Sequence, residues 1–328
     1  MAHPLVVGLR LGLLAATSGG THGESRGQVD IALDGGERHS DTRGWRAGGD
    51  LALTLWLGHR VIDDATPIAV QPFLQRASSL RMALGGAAFT RGPLGLDHDG
   101  FGFGVRASLA ADVYLSDAFA VSARVGVAED RVRIDPFDGA PSSAVPDTTH
   151  RSSLVVDGDL AFGYRLADLR VDLGLSIAPR RDLVTVADGT SQGGFALTAY
   201  PGGFLRLRTV LLEHIDIAAT VRSLDHGAGA DITIDYYPSH RLGLLSGIGG
   251  AHERLRPDLP TAFHCTLDAA STTTGCLGDS VALRVGFGFW ASPRFALTAL
   301  YQPAFYSPTI TTFATVDNRV HVTLSTRF

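Results

Sequence analysis

The chain contains no lysine, and all 28 of its basic residues are arginine. Its net charge is −5 and its pI is about 6.2, so it lacks the basic excess typical of nucleic-acid-binding proteins. No run of about 18 apolar residues follows the N-terminal segment, which excludes membrane-spanning helices. With 45% hydrophobic and 19% charged residues, the chain is also too apolar to be disordered.

The chain has only two cysteines, Cys265 and Cys276, which lie close together in a polar stretch. No histidine–cysteine spacing near them fits a zinc site, so a metal or redox pair is the weaker alternative. We predict a disulfide that closes this loop, which would require an oxidising compartment. Phosphate-binding and dinucleotide-binding motifs are also missing from the sequence, and we therefore predict no cofactor and no metal site.

The N-terminal segment resembles a secretory signal. Leu5 to Ala16 is apolar except for Arg10, and small residues follow, but the early positive charge of a signal peptide is missing. We therefore predict that residues 1–27 are a signal peptide or an N-terminal extension, and that residues 28–328 form one domain.

From residue 28 onward, apolar residues recur with a period of two, which is typical of strands with one apolar face. Gly100 to Leu115 is the clearest segment, and its sixteen residues, at about 3.3 Å each, are more than a small soluble sandwich needs. About fourteen such segments occur between Gln28–Ser40 and Asn318–Phe328, with twelve as the alternative count. The apolar members of the clearest segment are Phe101, Phe103, Val105, Ala107, Leu109, Ala111, Val113 and Leu115.

The connections between these segments alternate in length, which is typical of a membrane barrel with tight turns on one side and long loops on the other. The segment 58–78 is the exception, because it is long, contains Pro67 and Pro72, and lies on the short-turn side. We expect this segment, or the residues before 28, to be a plug. The short connections are 116–117, 166–168, 209–213, 238–240 and 292–294, and the long ones are 133–149, 182–193, 255–279 and 307–317.

Aromatic residues of the apolar phase are concentrated at the two ends of the predicted strands. Two interfacial belts of this kind are expected of a barrel in a bilayer. Beside the short turns we predict Phe119, Tyr164, Tyr236, Phe289, Phe295 and Phe328, and near the other ends Phe101, Phe103, Phe195 and Phe305.

With a final strand reading V-H-V-T-L-S-T-R-F, the chain resembles Gram-negative outer-membrane β-barrel proteins. The resemblance covers most of the chain and identifies no subfamily. It implies an all-β, transmembrane, antiparallel up-and-down barrel in the bacterial outer membrane, in contact with lipid. It also implies that the insertion machinery reads an assembly signal formed by Val320, Val322, Leu324 and Phe328. Thr326 departs from the pattern, since an apolar residue is usual there.

The opposite phase of the strands is charged in both signs. A charge facing hydrocarbon would cost about 2–4 kcal/mol at mid-bilayer, so these side chains are expected to face the lumen. An interlocked network that fills the interior and a water-filled channel both remain open. The predicted lumen-lining residues are Arg106, Arg124, Arg165, Arg170, Arg206, Arg208, Arg222, Arg284, Asp112, Asp157, Asp159, Asp172, Asp216 and Asp235.

The functional prediction is a narrow, porin-like passive pore for small solutes, with no catalytic residues. One alternative is a structural or surface-interaction barrel that binds an external ligand through its long loops. Another is a barrel hydrolase, either a protease or a lipid deacylase. For a protease, Asp97-His98-Asp99 and Asp225-His226 are the acid–histidine pairs that could activate a water.

Overall fold

The computed structural model describes most of the chain from Arg26 to the C-terminal Phe328. The described ranges are 26–39, 43–58, 65–91, 100–134, 149–177, 180–185, 191–196, 202–224, 227–255, 276–308 and 315–328. The predicted signal segment therefore lies almost entirely outside them and stays a prediction.

Fourteen antiparallel strands form a closed barrel in this part of the chain, which confirms the predicted architecture and strand number. The first seven are β1 (Arg26–His39), β2 (Arg43–Leu57), β3 (Ser78–Arg91), β4 (Gly100–Tyr114), β5 (Phe119–Ile134), β6 (Thr149–Leu166) and β7 (Leu169–Ile177). The other seven are β10 (Gly202–Leu211), β11 (Ile215–Leu224), β12 (Gly227–Ser239), β13 (Leu242–Leu255), β14 (Cys276–Ser292), β15 (Phe295–Pro308) and β16 (Thr315–Arg327).

The last strand closes the barrel against the first, as the sequence predicts. β16 pairs with β1 from Gln28 opposite Arg327 to His39 opposite Val316. All other neighbours in the ring are antiparallel, and β5 pairs with β6. In the described ranges the fourteen barrel strands form a closed ring, so the backbone hydrogen bonds needed inside a bilayer are made between strands.

The outer surface of the barrel is apolar. Large side chains such as Phe162 and Leu173, which face each other on β6 and β7, are each 66% exposed, whereas a soluble protein would bury most such residues. Aromatic side chains ring both ends, with Phe119 and Tyr164 in contact at 5.3 Å between ring centroids at the short-turn end. A closed barrel with an apolar outer wall and two aromatic belts is a transmembrane β-barrel.

The structure corrects the prediction that 182–193 is an unstructured external loop. Two short strands, β8 (Arg180–Thr185) and β9 (Ser191–Ala196), form a hairpin that adds to the outer end of β6. β6 is eighteen residues long and outruns β7, so its protruding edge is free to pair with this hairpin. Phe195 thus belongs to the hairpin and not to a membrane strand, which begins only at Gly202.

The interior is closed at the short-turn end by the segment 65–77, which we call the plug. It contains one short helix, α1 (Gln71–Leu74), with proline in its first turn. Ile68, Val70 and Phe73 of the plug pack in one buried cluster, and the barrel residues of this cluster are Val210, Tyr237, Trp290 and Ala296. No helix in the described ranges is long and apolar enough to cross a membrane.

Candidate functional site in the barrel interior

The inner wall is organised around Arg170 on β7. Its Nε donates to Asp172 at 2.7 Å, and its two terminal nitrogens donate to both carboxylate oxygens of Asp112 at 2.8 Å. The same side chain also donates to Ser122 at 2.8 Å and to the Tyr114 hydroxyl at 3.1 Å. All five donors of the guanidinium thus point at the wall, which leaves Arg170 7% exposed and fixed.

Three further predicted arginines are paired with predicted aspartates, two of them on an adjacent strand and Arg284 with an acid two strands away. These pairs hold the wall together and neutralise most of its charge. They are Arg208 with Asp216 at 2.8 Å, Arg284 with Asp235 at 3.3 Å, and Arg124 with Asp157 at 3.1 Å and Asp159 at 3.8 Å.

The first two strands supply three acids that the sequence prediction left out. Asp30 pairs with Arg81 at 3.3 Å, while Asp34 lies 3.9 Å from Arg106 and Asp50 accepts two hydrogen bonds from the same guanidinium. These acids alternate with apolar residues as the later ones do. The same period of two would therefore have placed Asp30, Asp34 and Asp50 among the predicted lumen-lining residues.

Two predicted lumen arginines stand apart from this network. Arg206 lies over the Phe204 ring at 5.4 Å from its centroid, and neither it nor Arg222 forms an ion pair with any residue that the structure describes. Asp172, the neighbour of Arg206 across the β7–β10 ladder, is already bound by Arg170 and is nearly buried. Arg206 is exposed, so its guanidinium keeps donors that are available to a ligand.

Arg165 contacts the plug instead of an acidic side chain. Its Nη1 donates to the carbonyl oxygen of Phe73, and its guanidinium lies 4.4 Å from the centroid of the Phe73 ring. Arg208 lies at the same distance from that ring. Phe73 is thus held by two cations from β6 and β10, and each such contact is worth about 0.5–2 kcal/mol.

The remaining polar contacts of the plug reach two different turns of the barrel. Thr66 donates to Glu213 at 3.3 Å, and Arg76 pairs with Asp117 at 3.3 Å. Gln71 donates to the carbonyl of Thr66 at 3.1 Å, which braces the plug internally. Glu213 and Asp117 belong to separate short turns, and the apolar cluster of the plug reaches β12, β14 and β15, so the plug extends across the mouth of the barrel.

A cavity of about 450 Å³ lies in the barrel interior against the plug, and we call it the chamber. Pro72, Phe73 and Ala77 of the plug contribute to its lining, together with Trp56 and Tyr114 from the wall. Its charged lining residues are Arg81, Arg124, Arg170, Arg206 and Arg208 against Asp112, Asp159 and Asp172.

Glycines make room for the inward aromatic side chains. A Cβ at Gly174 would collide with the Phe204 ring, one at Gly243 with Tyr237, and one at Gly288 with Trp290. The Phe204 and Tyr237 rings therefore lie over a glycine of the adjacent strand, and the Trp290 ring lies over a glycine of its own strand.

The other predicted site residues have different outcomes. Val320, Leu324 and Phe328 are exposed on the outer face of the terminal strand, and Val322 shares their phase.

Cys265 lies outside the described residues, whereas Cys276 is the first residue of β14 and not part of a loop, so the disulfide stays a prediction. The acid–histidine pairs at 97–99 and 225–226 also lie outside the described ranges. Within those ranges no group of three or more metal-ligating side chains is placed to hold a metal ion.

No family model matches the chain, and no curated protein sequence matches it. Solved structures match it along nearly its whole length. The Pseudomonas putida toluene transporter TodX aligns at a TM-score of 0.53 and 10% identity, over 95% of this chain and 91% of that one. The CymD monoaromatic hydrocarbon channel aligns at 0.54 and 12% identity, over 96% of this chain and 91% of that one. The chain has the fold of the bacterial outer-membrane β-barrel proteins, and no subfamily is identified.

Proposed function

We propose that the protein is a passive solute channel of the bacterial outer membrane, with a narrow path along the Arg/Asp inner face and a plug at its periplasmic end. The observation that carries this proposal is the chamber of about 450 Å³ inside the barrel, directly against the plug. The similarity to structures named as a toluene transporter and a hydrocarbon channel supports the same class of function.

The strand number supports a narrow path. Barrels of about eight strands are filled by side chains, and those of sixteen to eighteen enclose an aqueous channel. Fourteen strands leave an interior of intermediate width, and the paired arginines and aspartates occupy part of it. Because both signs of charge are present, we expect little preference between simple cations and anions in bulk conduction.

The plug defines how such a channel would open. It is held by one small apolar cluster and a few polar contacts, and it makes no ladder pairs with the barrel strands in the described ranges. It can therefore move without breaking the hydrogen bonds of the barrel. Passage to the periplasm requires this displacement, because the plug crosses the mouth.

Planar-bilayer conductance tests the proposal. We expect the wild-type protein to conduct weakly, and a variant in which residues 66–76 are replaced by a short Gly/Ser linker to conduct at a several-fold higher level. Phe73→Ala should give an intermediate increase, because it removes the ring held by Arg165 and Arg208.

Leu212→Ala is the matched control for this experiment, since Leu212 lies in a turn at the same end of the barrel but is 86% exposed. It should conduct as the wild type does. If the linker variant is folded and shows no channel events across salts and voltages, the channel proposal is wrong.

We further propose that the protein is not an enzyme and that its partners are outer-membrane lipid, the outer-membrane insertion machinery and small solutes. The apolar outer wall supports contact with lipid, and the outward phase of Val320, Val322, Leu324 and Phe328 supports recognition by the insertion machinery.

A further inference from the structure

The chamber offers cationic donors that are accessible, whereas two of its three acids, Asp112 and Asp172, are tightly bound, and the third, Asp159, lies 3.8 Å from Arg124. Asp112 is bound through both oxygens by Arg170 and also accepts from Ser122 at 2.8 Å. Asp172 is bound by Arg170 and is 5% exposed as a side chain. Acceptor positions for a cationic ligand are therefore scarce at this part of the wall.

Several arginines around the chamber, unlike Asp112 and Asp172, are exposed and have few ion-pair contacts. The Arg81 side chain is 51% exposed and has one ion-pair contact at 3.3 Å, and Arg124 is 53% exposed. Arg206 is exposed and has no acidic partner among the residues that the structure describes. A guanidinium has five N–H donors in a fixed planar arrangement, which matches the two oxygens of a carboxylate.

Aromatic side chains lie beside these donors, and each has a guanidinium near its ring. Trp56, Phe73, Tyr114 and Phe204 all contribute to the lining of the chamber. The absence of a side chain at Gly174 leaves room for the Phe204 ring, and the guanidinium of Arg206 lies 5.4 Å from the centroid of that ring. The volume of about 450 Å³ lies at the lower end of the range for small-molecule pockets, about 300–1,000 Å³.

From this geometry we propose that the chamber is a binding site for small aromatic carboxylates, with Arg206 binding the carboxylate and the aromatic side chains of the lining contacting the ring. This inference rests on the proposed channel function, because it names the class of solute that would pause in the path. A carboxylate ligand pairs with Arg206 without displacing an ion pair, since Arg206 has none among the residues that the structure describes. A neutral aromatic molecule would gain the ring contacts alone.

Equilibrium binding to the detergent-folded full-length protein tests this site, with benzoate as the probe and benzyl alcohol as a neutral molecule of similar shape. We expect saturable benzoate binding that is at least about tenfold tighter than that of benzyl alcohol. Arg206→Gln should weaken benzoate binding by about tenfold or more, the effect of losing a charge-assisted hydrogen-bonded pair. It should leave benzyl alcohol binding unchanged.

Arg222→Gln is the matched control, because Arg222 is an exposed arginine of the same inner phase that has no described ion pair and does not line the chamber. It should bind benzoate as the wild type does. Arg206→Lys should fall between wild type and Arg206→Gln, since it keeps the charge but not the planar pair of donors.

The binding-site proposal is wrong if the wild type does not bind benzoate or binds benzyl alcohol as tightly as benzoate. It is also wrong if Arg206→Gln binds benzoate normally, or if Arg222→Gln loses as much benzoate affinity as Arg206→Gln. The two proposals fail separately. If the wild type binds benzoate but the plug-replaced variant does not conduct, the channel proposal is wrong and the binding-site proposal stands. If the variant conducts but the wild type does not bind benzoate, the binding-site proposal is wrong and the channel proposal stands.

Discussion

Individual arginines of the inner wall have different roles, although the sequence presents them as one class. Arg170 is buried and saturated with acceptors, Arg165 holds the plug, and Arg206 is exposed beside an aromatic ring. Removing one partner of a buried ion pair is strongly destabilising, because the remaining charge is left without compensation. Substitutions in the wall should therefore differ strongly in their effect on stability.

Arg170→Met should lower the free energy of unfolding by about 3 kcal/mol, at the lower end of the range for breaking a buried pair, since Asp112 keeps partial access to water. The measurement is a denaturant titration of the protein folded in lipid vesicles. Adding Asp172→Asn to this variant should recover part of the loss, because it removes one uncompensated carboxylate.

Arg222→Met is the comparison for this prediction, because Arg222 has no described ion pair to lose. Its free energy of unfolding should lie within about 0.5 kcal/mol of the wild type. Equal stabilities for the Arg170 and Arg222 variants would contradict the role given to Arg170.

At the scale of the element, the terminal strand β16 completes the barrel through its last residue. The backbone of Phe328 exchanges two hydrogen bonds of 2.9 Å with Gly27, and its ring lies across the position where a Gly27 side chain would be. The ring itself is 66% exposed on the lipid side. Phe328 thus closes the seam between the first and last strands and presents an aromatic side chain at the interface.

Deletion of Phe328 should reduce the fraction of protein that reaches the folded, membrane-inserted state, because both the seam pair and the terminal aromatic are lost. The measurement is the heat-dependent gel mobility of the outer-membrane fraction. Phe328→Trp should assemble nearly normally, since it keeps an aromatic side chain at the interface. Normal insertion of the deletion variant would refute the assembly role.

At the scale of the whole molecule, the barrel is organised with its polar groups inside and its apolar groups outside. Its main buried apolar cluster in the described ranges is the one between the plug and the short-turn end of the wall. The strands themselves expose residues such as Val285, at 59%, to the surroundings. The bilayer is therefore the solvent of the outer wall, and the depth of a residue in it decides the cost of a charge.

Val285→Arg, near the middle of β14, should lower the free energy of unfolding in vesicles by about 2–4 kcal/mol. Leu212→Arg, in a short turn, should cost no more than about 1 kcal/mol, because the charge stays in water or at the interface. Denaturant titration of both variants in the same vesicles measures the difference. Equal costs would mean that β14 does not face hydrocarbon at Val285.

The amino-acid sequence by itself determined the properties that depend on strand geometry alone. Alternation along one strand is local, so it predicted the apolar outer phase of each strand and about fourteen strands, with twelve as the alternative. The same alternation predicted that Arg170 and Asp112 share the inner phase. It could not pair them, since they are 58 residues apart and meet only across the curved wall.

The tertiary structure decided the features that depend on how the strands close into a barrel and on how far each strand extends past its neighbour. It turned part of 182–193 into a hairpin on β6, because only the closed sheet reveals which edge protrudes. It placed 65–77 across the mouth, where Phe73 lies between Arg165 and Arg208, residues distant in sequence. It also formed the chamber, whose size and free guanidinium arise from how the inner side chains fill a ring of fourteen strands. These features depend on side chains from many strands converging in space, and no local pattern encodes that convergence.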